Sequence, residues 1–170
     1  MGDPRKARKK YKGPSHPWQR ARIIAERKIK KDYGLKNKTE IWKTSSELRR
    51  IKSQAKKLIR EKAKGNKQAF VEEKQLLARL AKYGLISEGS QLESVLLLHL
   101  ENVLDRRLQT LVYEQGLSLT PTQARQFIVH GHVLVNGRKV NVPSYLVSLE
   151  EAASIQFSQN SSLSKDDHPE

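Results

Sequence analysis

Positive charge is not spread over this chain; it is loaded into one end. Residues 1–70 carry 24 Lys and Arg against 6 Asp and Glu, a net of +18, while residues 71–170 carry 9 against 12, a net of −3. A block so cationic is unfavourable to compact by itself, so the first half calls for a polyanion, either nucleic acid or an anionic membrane surface. The only unbroken run of four or more apolar residues, Val95-Leu96-Leu97-Leu98, is far short of the roughly 20 that a spanning helix needs, and nucleic acid is the better partner. No apolar stretch follows the basic "MGDPRKARKKYKG", which argues against a secretory signal, and Lys6 stands where a myristoylation site has Ser or Thr. An intracellular protein with no membrane association is expected. With no cysteine there is no disulfide and no thiolate metal site. At 170 residues the chain holds one ordinary domain, or a small domain with a large appendage, and can bury a real core.

Residues 1–16, with Pro4, Gly13 and Pro14 around a dense basic run, are expected to form a basic arm. Residues 17–90 read as a basic helical region. Pro17 suits a first helical turn, and Trp18, Ala21, Ile24, Ala25 and Ile29 give an apolar stripe up to Tyr33, where Gly34 suggests a cap. A long helix is predicted from Thr39 to Ala63, with Ile41, Leu48, Ile51, Ala55, Leu58 and Ile59 at helical spacing. Arg49, Arg50, Lys52, Lys56, Lys57, Arg60, Lys62 and Lys64 surround that stripe, so one narrow side faces protein and most of the rest is cationic. A third helix is predicted from Asn66 to Tyr83, ending at Gly84.

Composition changes near residue 91. The apolar stretch from Gln91 to Gly116 reads as one helix or as two meeting near His99, and Arg107, inside its stripe, must snorkel or pair with a carboxylate. Thr120-Pro121-Thr122-Gln123 supplies an N-cap, a first-turn proline and a capping-box glutamine. In the short helix that follows, Ala124, Phe127 and Ile128 point inward, Thr122, Gln126 and His130 point outward, and Arg125 lies on the flank. Gly131 suits its C-terminal cap. Asn136-Gly137 between "HVLV" and "RKVNV" marks a type I′ hairpin, which needs two positive φ angles, and a third strand is expected at Ser154 to Phe157. Residues 91–158 thus form the second unit, and 159–170, small and polar, read as a disordered tail.

His130-Gly131-His132 invites a metal-site reading. A catalytic metal usually takes three protein ligands and structural zinc four. His16, His99 and His168 lie in separate segments and cysteine is absent, so no metal or other cofactor is expected. Nor does any nucleophile-base set, phosphate-cradling loop or carboxylate pair stand out, which argues against an enzyme. The polar residues Thr122, Arg125, Gln126, His130, His132, Asn136 and Lys139 instead carry donors of the kind used on phosphate and sugar, although any solvated helix has such a face.

Residues 104–148, "LDRRLQTLVYEQGLSLTPTQARQFIVHGHVLVNGRKVNVPSYLVS", closely resemble the S4-type RNA-binding domain, with its pattern "T..QARQ.I.HGH..VNG..V..PSY.V". "MGDPRKARKKYKGPSHPWQ", "YGLKNKTEIWKTSSELRR" and "SIQFS" extend the resemblance to the archaeal branch of the small-subunit ribosomal protein S4 family, over nearly the whole chain. The resemblance implies an α+β fold: a basic, mostly helical N-terminal half and a small domain of two helices packed on a short bent antiparallel sheet. It implies direct binding of small-subunit (16S) rRNA, early assembly of the subunit body, a role in translational accuracy and a cytoplasmic, ribosomal location. Expected neighbours are small-subunit protein S5, other small-subunit proteins and messenger RNA where it enters; no homo-oligomer is expected. RNA-facing candidates carried over by motif are Arg106, Thr122, Gln123, Arg125, Gln126, His130, His132, Asn136 and Lys139. The basic half adds Arg5, Lys9, Lys10, Arg49, Arg50 and Lys56. Gly131 and Gly137 set backbone geometry and Tyr145 packs the domain. Many bacterial members carry N-terminal cysteines able to hold zinc; this chain has none, so zinc is not carried over. The rivals are a free-standing S4-domain RNA-binding factor, a pseudouridine synthase, for whose catalytic domain there is no room, and a DNA-binding helix-turn-helix protein, which the hairpin and cationic rod fit poorly.

Overall fold

The computed structural model describes residue 9 and residues 11–87, 89–158 and 161. Among the described residues seven helices precede the sheet: α1 (Arg20–Asp32), α2 (Lys38–Ala63), α3 (Lys67–Lys82), α4 (Leu92–Leu97), α5 (Leu100–Asp105), α6 (Leu108–Glu114) and α7 (Pro121–His130). Strands β1 (Val133–Val135) and β2 (Arg138–Lys139), a single turn of helix α8 (Leu149–Ala152) and β3 (Gln156–Phe157) follow. The sheet is antiparallel in the order β2-β1-β3, with Leu134 opposite Lys139 on one side and Val133 opposite Phe157 on the other. Asn136 (φ 49°) and Gly137 (φ 72°) both take positive φ, as the type I′ turn requires. The fold is α+β, as expected.

Apolar burial falls into two clusters. The first joins the inward stripe of α2 (Leu48, Ala55, Leu58) to Leu76 and Leu80 of α3, Leu92 and Val95 of α4, and Val103. The second lies between α6, α7 and the sheet, with Leu108, Val112, Ala124, Ile128, Val133 and Val147 at its centre. The change of core therefore comes between Val103 and Leu108, beyond the composition change near residue 91. Each fully buried Leu or Ile contributes roughly 1.5–3 kcal/mol relative to exposure, so both halves rest on packing rather than on helix propensity.

Three expectations need correction. The first helix begins at Arg20 rather than Pro17, Trp18 is 91% exposed ahead of it, and Ala21, Ile24 and Ala25 are exposed. What anchors α1 is its buried Glu26, which accepts hydrogen bonds from Arg22 Nη1 (2.6 Å) and Trp42 Nε1 (3.0 Å) and lies 3.3 Å from Lys38 Nζ. Burial would raise this carboxyl, but Trp42, Arg22 and Lys38 more than offset it and hold it below the usual carboxylate range.

Second, the stretch 91–116 breaks twice, at His99 and again at Arg106-Arg107. There the chain turns extended because Arg107 bridges Leu146, Val147 N–H donates to the Arg106 carbonyl (3.0 Å) and Leu108 N–H donates to the Tyr145 carbonyl (2.8 Å). Third, Tyr145 does not pack by burial. It is 36% exposed and ties the domain through that carbonyl and through its hydroxyl, which donates to Glu151 Oε1 (2.9 Å). The expected arm and tail lie mostly outside the described residues.

Candidate nucleic-acid interface

Two surfaces collect the candidate residues. The first is the outer face of α2. Arg49, Arg50 and Lys56 are exposed and, among the described residues, have no ion-pair partner. The backbone of residues 11–13 runs beside them, fixed by the Lys12 N–H, which donates to Ser46 Oγ (3.0 Å), while that hydroxyl donates to the Trp42 carbonyl (2.7 Å). Tyr11 stacks on Trp42 (6.4 Å between centroids, 30° between planes), and Lys9 Nζ sits 4.9 Å from the Tyr11 ring centre. The result is an open groove of about 740 Å³ walled by Lys9, Tyr11, Lys12, Arg49, Arg50 and Arg60, among others. Trp42 thus links the Glu26 anchor to the groove wall. Sequence reasoning placed Lys9, Arg49 and Arg50 here; it missed Tyr11, Lys12 and Arg60 as members of one site, because which arm residues fold back on α2 is not a matter of periodicity. Arg5 and Lys10 lie outside the described residues.

The second surface is the outward face of α7 with the turn and hairpin after it. Thr120 Oγ1 caps α7 by accepting from the Gln123 N–H (3.2 Å), and Thr122, Gln126 and His130 are exposed at four-residue spacing. The His130 and His132 rings are stacked, 6.3 Å apart and 12° from parallel, and His132 Nδ1 is 2.8 Å from Ser161 Oγ. Gly131 (φ 76°) lets the hairpin fold back across the helix end: a Cβ here would run into the Lys139 side chain, so Lys139 lies beside the histidines. Exposed Asn136 and Lys139 complete this platform.

Three motif residues are not among its free donors. Gln123 is a cap whose Oε1 accepts from the Leu119 N–H (2.9 Å). Arg106 is half-buried and its Nη2 donates to the Val147 carbonyl (3.2 Å). Arg125, expected off the buried face, turns inward: Nη2 meets Glu40 Oε1 (2.9 Å) and Nη1 meets Gln109 Oε1 (3.2 Å) and Glu40 Oε2 (3.3 Å). Of the two options for Arg107, snorkelling or a carboxylate, the structure has the carboxylate, and it is the same Glu40. Burial would raise the Glu40 carboxyl, yet the hydrogen bonds and charges of Arg125 and Arg107 hold it below the usual range. Among the described residues no group of three or more His, Asp or Glu is placed to hold a metal ion, and no helix is long and apolar enough to cross a membrane.

The S4 domain family matches residues 106–152, which takes in the whole second surface. Over the full length, the small ribosomal subunit protein uS4 of Methanococcus aeolicus is 51% identical across 172 aligned positions, covering 100% of this chain and 95% of that protein. The chain belongs to the small ribosomal subunit protein uS4 family, archaeal type. The uS4 protein of Methanococcus maripaludis is 48% identical over the same span, with 94% of its length covered. The uS4 similarity runs end to end, and the S4-domain match opens at Arg106, next to where the second core begins.

Proposed function

We propose that this uS4-family chain is a structural constituent of the small ribosomal subunit, binding small-subunit (16S) rRNA directly in the cytoplasmic ribosome and acting by contact rather than by catalysis. The observation that carries this is the presence, on one chain, of a cationic groove with an aromatic wall and a nearly uncharged platform of Thr122, Gln126, His130, Asn136 and Lys139. RNA helices hide base edges in a narrow major groove, so phosphate and 2′-hydroxyl contacts dominate their recognition, and these are the two kinds of donor present. In this proposal the platform selects the RNA site by shape and the groove holds its backbone. Arg125 and Arg106 support the platform from behind. Early binding that nucleates the subunit body, contact with protein S5 near where messenger RNA enters, and a bearing on translational accuracy complete the proposal; they rest on the family resemblance.

Sucrose-gradient sedimentation of the endogenous protein, paired with filter binding to an rRNA fragment, tests it. Co-sedimentation with small subunits supports it, whereas a protein that stays at the top of the gradient while still binding RNA is a free-standing RNA-binding factor. With about eight basic side chains on phosphates, the log-log salt slope is on the order of −6 to −7. A slope near −1, or equal competition by duplex DNA, overturns the assignment.

A further inference from the structure

The two surfaces belong to two separate cores, and beside the apolar contact that Leu146 makes with the first core a polar cluster joins them. Glu40 stands in the first turn of α2 and receives both Arg107 and Arg125, which come from the start of α6 and from α7. Beside it Gln109, 1% exposed, uses one amide nitrogen on three carbonyls: Tyr33 (3.1 Å), Gly34 (3.0 Å) and Pro121 (2.8 Å). Its Oε1 takes Arg125, which closes the circuit. Gly34 (φ 56°) fits so tightly that a Cβ would lie 2.9 Å from both Gln109 Nε2 and the Pro121 carbonyl carbon. The bend between α1 and α2 is therefore pinned to α6 and α7 by directed bonds, with no room to slide. Apolar contact alone is non-directional, whereas a carboxylate shared by two guanidinium groups fixes angle as well as distance.

We infer that Glu40 and Gln109 are positioning residues for RNA binding: their junction with Arg107, Arg125 and Gly34 sets the angle between the α2 groove and the α7 platform, so that both meet one RNA at once. This rests on the RNA-binding assignment proposed above. Neither residue reaches the RNA, and Arg125 serves the RNA through the junction rather than through a phosphate.

The absence of cysteine makes the test direct. Spin labels on Lys64→Cys and Glu150→Cys, both exposed and in different halves, report the distance distribution in the full chain, alone and with Glu40→Gln. Breaking the junction is expected to widen that distribution and to weaken rRNA-fragment binding about tenfold, the loss when the competent orientation falls to about a tenth of the population. The salt slope stays unchanged, since no phosphate contact is lost. If Glu40→Gln does not fold, Gln109→Ala, which keeps every charge, carries the same measurements. Unchanged affinity, or weakened affinity with an unchanged distance distribution, overturns the inference. So does Arg125→Gln lowering the slope by about 0.7–0.9, the signature of one phosphate contact. Failure of the unsubstituted chain to bind the fragment would instead count against the RNA-binding assignment itself.

Discussion

Along the outer face of α2, Arg49, Arg50, Lys56 and Arg60 stand exposed without an ion-pair partner among the described residues, whereas on α7 the one arginine, Arg125, is turned inward onto Glu40. The two regions therefore spend charge differently. These four α2 cations are left in solvent, where such charges attract phosphate at long range and with little regard for sequence, although Lys57 and Lys62 of the same helix pair with Glu61 and Glu73. On the platform, the Arg125 guanidinium is consumed by the fold, and what faces outward are hydroxyl, amide and imidazole groups with the Lys139 ammonium beside them. In the proposed function, unpaired charge supplies affinity and a held polar surface supplies the choice of site. A single residue type serves both ends, and the difference is whether a carboxylate lies within reach.

The sharpest way to break this division is to remove the platform's support while sparing the groove. Ile128→Ala empties a site that is fully buried in the second core and should cost roughly 2–5 kcal/mol, read as a shift of the urea midpoint. RNA binding by this variant should persist but lose preference for the rRNA fragment over an unrelated RNA. Next in size, Arg49→Gln with Arg50→Gln should flatten the salt slope by about 1.4–1.8, two contacts at 0.7–0.9 each, with no change in thermal midpoint. Gln126→Ala tests the other side. Loss of a single neutral hydrogen bond should weaken fragment binding by about 1 kcal/mol and leave the slope where it was; a flatter slope would show that the platform also works through charge.

The smallest effect comes from pH. The Glu40 carboxyl titrates below its ordinary value, so its contribution to stability is complete above the unfolded value, about 4.3, and is lost as pH falls through the folded one. As pH falls from about 4.3 through the folded value, the unsubstituted chain should lose more stability in urea titrations than Glu40→Gln does. Parallel losses would mean that Glu40 is not the titrating group.

Much of this organisation was legible in the residues. The inward stripe of α2, the caps at Gly34, Gly84 and Gly131, the hairpin at Asn136-Gly137 and the outward set Thr122, Gln126 and His130 all follow from spacing and backbone preference. Trp18 and Ile24 misled because an apolar stripe reports a capacity for burial, not the presence of something to bury against; α1 is anchored by a carboxylate instead. The break at Arg106-Arg107 was hidden because helical spacing continues through it, and only pairing with residues 145–147 pulls the backbone straight. Arg107 inside an apolar stripe called for snorkelling or an acid. Which acid, 67 residues away, no local pattern could say. Gln109 left no signal at all, being one more polar residue until three carbonyls converge on it.

The order of strands has a consequence for synthesis. β3 is the last strand made, yet it pairs with β1 through Val133 and Phe157, and the Ser158 N–H reaches back to the His132 carbonyl (2.7 Å). The buried members of the α2 core, by contrast, have all emerged by residue 103, and of the side chains packed against it only Leu146 comes later. A nascent chain can therefore compact its cationic half while its sheet still lacks an edge, since N-terminal units fold first during translation. On the proposed division of labour, the groove that grips RNA matures before the platform that chooses among RNAs, so for a short interval the growing chain is sticky before it is selective.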